Sequence, residues 1–391
     1  MGRRPARRLA SAAAVGALLA ALTATGAWAG QDRETSRAAV AWGDNSTGQL
    51  GDATDQQRHT PVAVSDLRKV RQLGAGTAYG IALLANGTVR AWGGNERGPL
   101  GDGTQDAHTT PGVVAGLSGV RQVAAGSVHA LALLEDGTVR AWGDNTSGQL
   151  GLGVLGGLRT TPVPVPGLKH VRAIAARDSY SLALLADGTV LAWGNNSAGV
   201  LGNGTVGTND PTPAPVHGLS GVRALAAGSG HVLALLKDGT VRSWGADDVG
   251  QLGRGTVGAP DPLPATVWGL AEVRAVAAGL DHSLALLEDG RVWAWGDNQD
   301  GELGIGTFGG LRDRPVAVSG LSGARAVAAG FHTSYALSRR DDAVVLAWGG
   351  NDRGQLGDGS TTRRAAPVTV QTSLDDVGPL VAGDGFALAA G

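Results

Sequence analysis

The 391-residue sequence contains no cysteine, one methionine and only 4% aromatic residues, and its lysines are limited to Lys69, Lys169 and Lys237. Without cysteine there can be no disulfides, thiolate metal sites, iron–sulfur clusters or cysteine nucleophiles, so the chain must hold itself together by packing. Basic charge is also scarce. The first 29 residues carry four arginines and no acid, so without them the 32 basic side chains fall to 28 against 34 acidic ones, a net of −6. Nucleic-acid binders present a basic face, and three scattered lysines on an acidic chain do not supply one, so no nucleic-acid partner is expected.

Long apolar runs are missing as well. The only extended one, Leu9 to Leu22, is short and alanine-rich for a bilayer span. It follows Arg3, Arg4, Arg7 and Arg8 and precedes Ala27-Trp28-Ala29, an A-x-A cleavage pattern. Residues 1–29 therefore read as a secretory signal peptide cleaved after Ala29, with Arg7-Arg8 leaving the Sec and twin-arginine routes both open. The expected product is secreted, with no membrane span after cleavage, a short linker at 30–38 and one domain at 39–391.

Glycine and small apolar residues are abundant: 65 glycines, with hydrophobic residues at 42%. The segment "VRAWGDNTSGQLGLG" (139–153) shows how they are used, and near-copies of it recur. Aligned on tryptophan, they place Trp42, Trp92, Trp142, Trp193, Trp244, Trp295 and Trp348 at spacings of 50, 50, 51, 51, 51 and 53 residues. A period of that size points to propeller blades or a solenoid. Within residues 273–307, "VRAVAA", "HSLALL" and "RVWAW" are runs of strand length. Asp289-Gly290 between the last two reads as a tight hairpin whose two central residues both take positive φ, as do Asn86-Gly87, Asp136-Gly137, Asp187-Gly188 and Asp238-Gly239. The "PVAV" and "PVPV" segments supply a fourth strand, at the edge because proline cannot donate to a ladder.

The ends decide between an open stack and a ring. The first period begins at "AVAWGDN" (39–45) without a preceding "AAGxxHxLAL" element, and the last ends in "VAGDGFALAA" (381–390), that element without its tryptophan half. Each half occurs seven times. They pair only if the C-terminus returns to the N-terminus and buries both edges. The expected fold is all-β: a seven-bladed β-propeller of four-stranded antiparallel blades, closed by its terminal strands, as a monomer. Each tryptophan wedges between neighbouring blades, where burying around 200 Å² at about 25 cal/mol/Å² contributes up to roughly 5 kcal/mol. The "GDNTSGQLGLG" that follows is turn chemistry.

The pattern "VxAWGxNxxGQLGxGT…TPVxVxGLxxVxxVAAGxxHxLAL" resembles the repeat of the regulator of chromosome condensation family, over residues 39–390. The resemblance implies a seven-bladed propeller. It also implies nucleotide exchange on the small GTPase Ran and chromatin binding, but an acidic, exported chain without a basic N-terminal tail departs from the namesake in charge and compartment. The chain is similar, too, to the secreted propeller-type beta-lactamase inhibitory proteins, in its signal peptide and its split first and last repeats. That resemblance implies aromatics at the second position after the "AAG" glycine; here the positions are Ala78, Val128, Ser179, Gly230, Asp281, His332 and Gly385. Only one is a ring, and the intact "GQLGxGT" segment is a further departure.

Several motifs invite chemistry and carry little. "GNGTVG" (202–207), "GRGTVG" (253–258) and "GIGTFG" (304–309) match G-x-G-x-x-G, but each recurs with the blade and leads into proline-rich sequence instead of a helix. His129, His231 and His282 share a repeat position with Tyr79, Tyr180 and Thr333, which suits a hydrogen-bonding strand start better than a ligand, and symmetric blades keep them too far apart to share one zinc. In "GDNQDGELG" (296–304), Asp297 and Asp300 lack calcium-loop spacing. No serine lies in a singular nucleophile motif. No catalytic, cofactor-binding or metal-binding residue, and no cofactor, is therefore expected.

Departures from the repeat are the better guide, because loop exceptions on a rigid ring are where a partner is read. They are "ARDSYS" (176–181), "GFHTSYAL" (330–337), the charged "SRRDDAVV" (338–345), and Trp268 and Trp293. Arg177, Phe331, His332 and Tyr335 emerge as partner-binding candidates. The expected function is a secreted, non-enzymatic module that binds a protein partner. The alternatives are inhibition of an extracellular enzyme such as a beta-lactamase and, against the export signal, guanine-nucleotide exchange.

Overall fold

The computed structural model describes residues 37–338, 344–374 and 377–391. The expected signal peptide at 1–29, residues 30–36 of the expected linker and residues 339–343 of the charged 338–345 segment lie outside the described residues. Among those described, the strands form seven four-stranded sheets with antiparallel pairing throughout. In chain order the sheets are blade 1 (70–113), blade 2 (120–164), blade 3 (171–215), blade 4 (222–266), blade 5 (273–317), blade 6 (324–369) and blade 7, made of 380–390 with 39–63.

The order of strands within a blade follows from their chemistry. First and second strands such as Val120–Ala125 and His129–Leu134 are buried almost throughout. Sheets covered on both faces read as continuous apolar runs, which is what these strands show. The fourth strands, such as Asp210–Pro215, are half-exposed and contain the prolines, as an edge requires.

The hairpins between second and third strands correct one expectation. In the five Asn-Gly and Asp-Gly turns the glycine alone takes positive φ, for example Gly87 at 80° and Gly137 at 80°, and neither Asn86 nor Asp136 does. The Gly87 N–H donates to Leu84 O and the Leu84 N–H to Thr88 O. That is a three-residue loop, a type I turn followed by a glycine bulge. The Asn86 side chain accepts from the Thr88 N–H, and Asp136 does the same for Thr138, so the acidic or amide residue caps the turn instead of adopting the left-handed region.

The ring is closed as expected. Ala39 through Gly43 pair with Ala390 through Phe386, and Ala38 and Gly391 exchange two backbone hydrogen bonds of 3.0 and 3.1 Å. Around the axis, each blade's first strand contacts the first strand of the next, and Leu380–Ala382 of blade 7 contacts Val70–Ala75 of blade 1.

All seven repeat tryptophans are fully buried, and each belongs to two blades at once. The third-to-fourth strand register shifts across the tryptophan, for example between Ala91 and Gly93 around Trp92, a bulge that re-aims the side chain. Trp92 of blade 1 packs with Leu50, Val64 and Val381 of blade 7. Its indole N–H donates to Gln49 O of blade 7 at 2.8 Å. The other six do likewise toward the preceding blade: Trp42 to Gln355, Trp142 to Pro99, Trp193 to Gln149, Trp244 to Val200, Trp295 to Gln251 and Trp348 to Glu302, at 2.7–2.9 Å.

The "GQLG" segment is thus more than a turn: it is a clasp. The Asn45 amide oxygen accepts the Leu50 N–H and holds the loop in shape, and Asn95, Asn145, Asn196, Asn298 and Asn351 repeat the bond. Gly51 follows at φ 68°, and a Cβ there would stand 2.8 Å from the Trp92 ring. A second set of bonds ties the first strands together: Arg121, Arg172 and Arg223 donate to Val171 O, Val222 O and Val273 O of the next blade.

Because the first two strands of blade 7 come from the C-terminus, deleting residues 380–391 leaves its other two as a half-sheet with an open edge along Ala39–Gly43. The truncated chain is expected to be aggregated or collapsed by size-exclusion chromatography, with cooperative thermal unfolding lost. A soluble monomer with the full-length melting profile would contradict the closure.

Candidate functional site

In each blade, the loop joining the first two strands and the loop joining the last two lie at the same end of the sheet, so all fourteen loops form one face of the ring. Arg177 ends the first strand of blade 3, and Phe331 lies in the first-to-second strand loop of blade 6. Their blades are three apart in a ring of seven, so the two side chains can meet only across the central axis. They do meet: the guanidinium carbon is 4.8 Å from the Phe331 ring centroid. Arg177 is 6% exposed, and its Nε and Nη2 are buried without a hydrogen-bond partner. Burial lowers the guanidinium from its ordinary value, opposed by Tyr180, Asp178 and Asp384. Burial also raises the carboxyls of Asp178 and Asp384.

His332, next to Phe331, reaches the third-to-fourth strand loop of blade 5. Its Nδ1 lies 3.4 Å from Glu302 Oε1 and 4.0 Å from Asp300 Oδ2. The hydrogen bond to Glu302 raises the imidazole above its ordinary value, against the opposite pull of burial. Carboxylates crowd the same sector. Burial, with Asp248 and Asp297 adding to it, pushes Asp281 up to about 6, and burial raises Asp297 as well. Beside His332 opens a hollow of about 560 Å³, lined by Phe331, His332, Arg353, Arg363, Asp44 and Asp384 among others. Arg363 donates to Asp300 at 3.2 Å and stacks 4.6 Å from the Phe308 ring centroid.

A family model for the RCC1-like domain matches residues 153–390, and models of the regulator of chromosome condensation (RCC1) repeat match 41–83, 86–133 and 120–149. The chain belongs to the RCC1-like family. It is 36% identical over 208 residues to the human E3 ubiquitin-protein ligase HERC2, a match covering 52% of this chain and 4% of HERC2. It is 33% identical over 215 residues to the ultraviolet-B receptor UVR8 of Arabidopsis thaliana, covering 52% of this chain and 47% of UVR8. The stretch shared with these relatives is therefore less than half of either protein. Prp20p of Saccharomyces cerevisiae, studied for its binding to Gsp1p and histones, superimposes with a TM-score of 0.83 at 24% identity, covering 94% of this chain and 93% of Prp20p. At that identity the likeness shows the fold alone.

Within this RCC1-like ring, three of the four partner-binding candidates converge and one does not. Arg177, Phe331 and His332 occupy one face, the first two in contact. Tyr335 is fully buried in blade 6: its hydroxyl donates to Gln355 O at 2.6 Å and its ring meets Trp42 edge-on at 6.4 Å. It is a strut between blades 6 and 7, out of a partner's reach. Strand alternation explains the error, since Tyr335 points to the opposite side of the strand from Ser334 and into the interblade core. Glu302 and Asp300 were missed as a pair with His332. The available signal was Glu302 itself, which stands where Gln49, Gln149, Gln251 and Gln355 stand in other repeats.

The repeat histidines are structural. His129 Nε2 bonds Ser181 Oγ of the next blade at 2.9 Å, and that hydroxyl donates to Gln149 O, the carbonyl already receiving Trp193. His231, Ser283 and Gln251 O repeat the relay, as do His282, Ser334 and Glu302 O. With each serine proton committed to a carbonyl, the imidazole must be the donor, which fixes the Nε2–H tautomer. The three G-x-G-x-x-G segments lead into fourth strands, not helices.

Two outcomes follow from these buried groups. Burial lowers His129 to about 4 and His231 to about 3, below the 6.5 of an exposed histidine. Between those values the unfolded chain binds more protons than the folded one, so stability falls as the pH drops below 6.5. The raised Asp281 acts in the opposite sense, so the difference between wild type and His129→Tyr isolates the histidine. Their unfolding free energies should converge by roughly 2 kcal/mol between pH 7 and pH 5 in urea melts. A pH-independent difference would remove the buried neutral imidazole. Separately, Arg177→Met removes a buried cation with unsatisfied N–H groups and keeps most of its volume. Its melting temperature should equal or exceed the wild type, by about 2–4 °C per kcal/mol gained. A clear fall would mark Arg177 as a structural strut.

Proposed function

We propose that this RCC1-like propeller is an exported, non-enzymatic protein-binding module that engages its partner through the face carrying Arg177, Phe331, His332 and the adjoining hollow. The observation carrying this reading is the convergence of departures. In a ring whose blades otherwise repeat one pattern, the exceptions at Arg177, Phe331 and His332 fall together on a single face. Arg177 supports the reading further, because a buried guanidinium with unmet N–H groups is an expense that packing alone does not require. The half-buried Phe331 beside charged Arg353, Arg363, Asp44 and Asp384 has the composition of a recognition surface: an aromatic anchor within a polar rim.

A binding role accords better than a catalytic one with the fate of the histidines and serines. The His–Ser pairs that resemble half a catalytic triad are fully buried, with each hydroxyl committed to a loop carbonyl that holds the neighbouring tryptophan. Export rests on the signal-peptide pattern in residues 1–29. The partners in the names and descriptions of HERC2, UVR8 and Prp20p belong to those proteins.

The test uses the protein immobilised as bait against culture supernatant and cell-wall extract of the producing host. One captured protein should bind wild type and lose at least about tenfold in affinity to Phe331→Ala or Arg353→Glu, the loss typical of a binding hot spot. Trp268→Ala, at the opposite end of the blades, should bind as wild type. Equal capture by all variants would refute the assignment of the face. Protein recovered from the supernatant should begin at Gly30, and retention of residues 1–29 would refute export.

A further inference from the structure

We propose that Asp300, Glu302 and His332 bind one divalent transition-metal ion of the zinc class, clipping the blade 5 loop to the blade 6 loop on the candidate binding face. The donor atoms all lie within 4.8 Å of one another, with His332 Nδ1 at 3.4 Å from Glu302 Oε1 and 4.0 Å from Asp300 Oδ2. Ligands bonded at about 2.0–2.2 Å to one ion stand about 3–4.4 Å apart, so small side-chain rotations bring all three into a coordination sphere. One imidazole and two carboxylates suit zinc-class ions; calcium and magnesium prefer oxygen alone.

The strongest argument is the cost of Glu302. In the blades with glutamine at this position, the amide has two jobs. Its oxygen accepts the N–H two residues earlier, at Thr47, Ser147, Val249 and Arg353. Its nitrogen donates to a carboxylate, at Asp44, Asp144, Asp248 and Asp352. Glu302 keeps the first job, accepting the Asp300 N–H through Oε2 at 2.9 Å. It cannot do the second. A side chain only 1% exposed thus replaces a donor with a second negative oxygen, in a sector already holding Asp281, Asp297 and Asp300. Glutamine would serve the clasp equally well, so the carboxylate answers to something cationic.

Each carboxylate is also held in place by one oxygen and turns the other toward His332. Glu302 is anchored through the Asp300 N–H, and Asp300 through Arg363 at 3.2 Å to Oδ1. Such anchoring orients ligands before an ion arrives. His332 and Asp300 both line the hollow, which gives the ion access and leaves its remaining position open toward it. His332 departs from the repeat at the loop directly opposite Glu302, so two independent exceptions on neighbouring blades face each other. The competing account is an imidazolium that pairs with Glu302 and binds no metal.

Isothermal titration of Zn²⁺ into the untagged, chelator-stripped protein separates the two. The expected result is one site per chain of about micromolar affinity or tighter, with no uptake of Mg²⁺. Glu302→Gln restores the residue used by other blades and should fold normally, as its metal-free melting curve will show. Glu302→Gln and His332→Ala should each weaken zinc binding by at least about tenfold, while His217→Ala, in the loop that joins blade 3 to blade 4 at the opposite end of the ring, should not. Absence of zinc binding to the wild type, or unchanged binding in Glu302→Gln and His332→Ala, would overturn the proposal. Neither result bears on the partner experiment, which is read through Phe331 and Arg353.

Discussion

The structure depends on one bond repeated seven times: an indole N–H from one blade donated to a loop carbonyl of the blade before it. A tryptophan buried without a partner for that N–H would lose part of what its burial gains. Here the carbonyl is presented by a loop that the preceding asparagine holds in shape, and the following glycine leaves room for the ring. Tryptophan, asparagine and glycine in different blades are therefore one unit divided across an interface. Asp247 shows what may vary: in blade 4 it replaces the asparagine, and its carboxylate accepts the Leu252 N–H in the same way. Val200 and Pro99 stand where glutamine usually does, because the clasp to the indole uses a backbone oxygen and is indifferent to the side chain.

That distribution explains what was legible in the sequence. Strand periodicity, the proline-bearing edge and the spacing of Trp42 through Trp348 are local or periodic, and they fixed the architecture. Closure was legible too, because a missing half at one end and a surplus half at the other are a matter of counting. The bonds between blades were not. That Trp193, Ser181 and His129 meet around Gln149 depends on how one blade twists against the next. The hairpin type was misjudged for a similar reason: Asp-Gly suits several turns, and the extra residue at each hairpin selected the three-residue form.

The candidate site was legible only as a set of exceptions. Nothing in the spacing of Arg177 and Phe331 places them together. Their contact exists because blades 3 and 6 face each other across the axis. Tyr335 shows that a departure within a strand can simply fill the interblade core, whereas Phe331 and His332, in a loop, reach other blades across the face. Glu302 shows the opposite risk. It replaces the commonest side chain at its position by an isostere, and only the hydrogen bonds of the other glutamines reveal that the change reverses a donor into an acceptor.

A repeated clasp also limits where function can be placed. Residues that lock one blade to the next are shared, so changing them disturbs two blades at once. The side chains of Phe331 and His332 at the loop tips take no part in the indole clasp, so they can vary without breaking it. Glu302 lies on the border between these regimes: its backbone oxygen serves the Trp348 and Ser334 clasp, while its side chain faces His332. A substitution there can alter the chemistry of the face while leaving the bond that holds blades 5 and 6 together, because the two tasks are carried by different atoms of one residue.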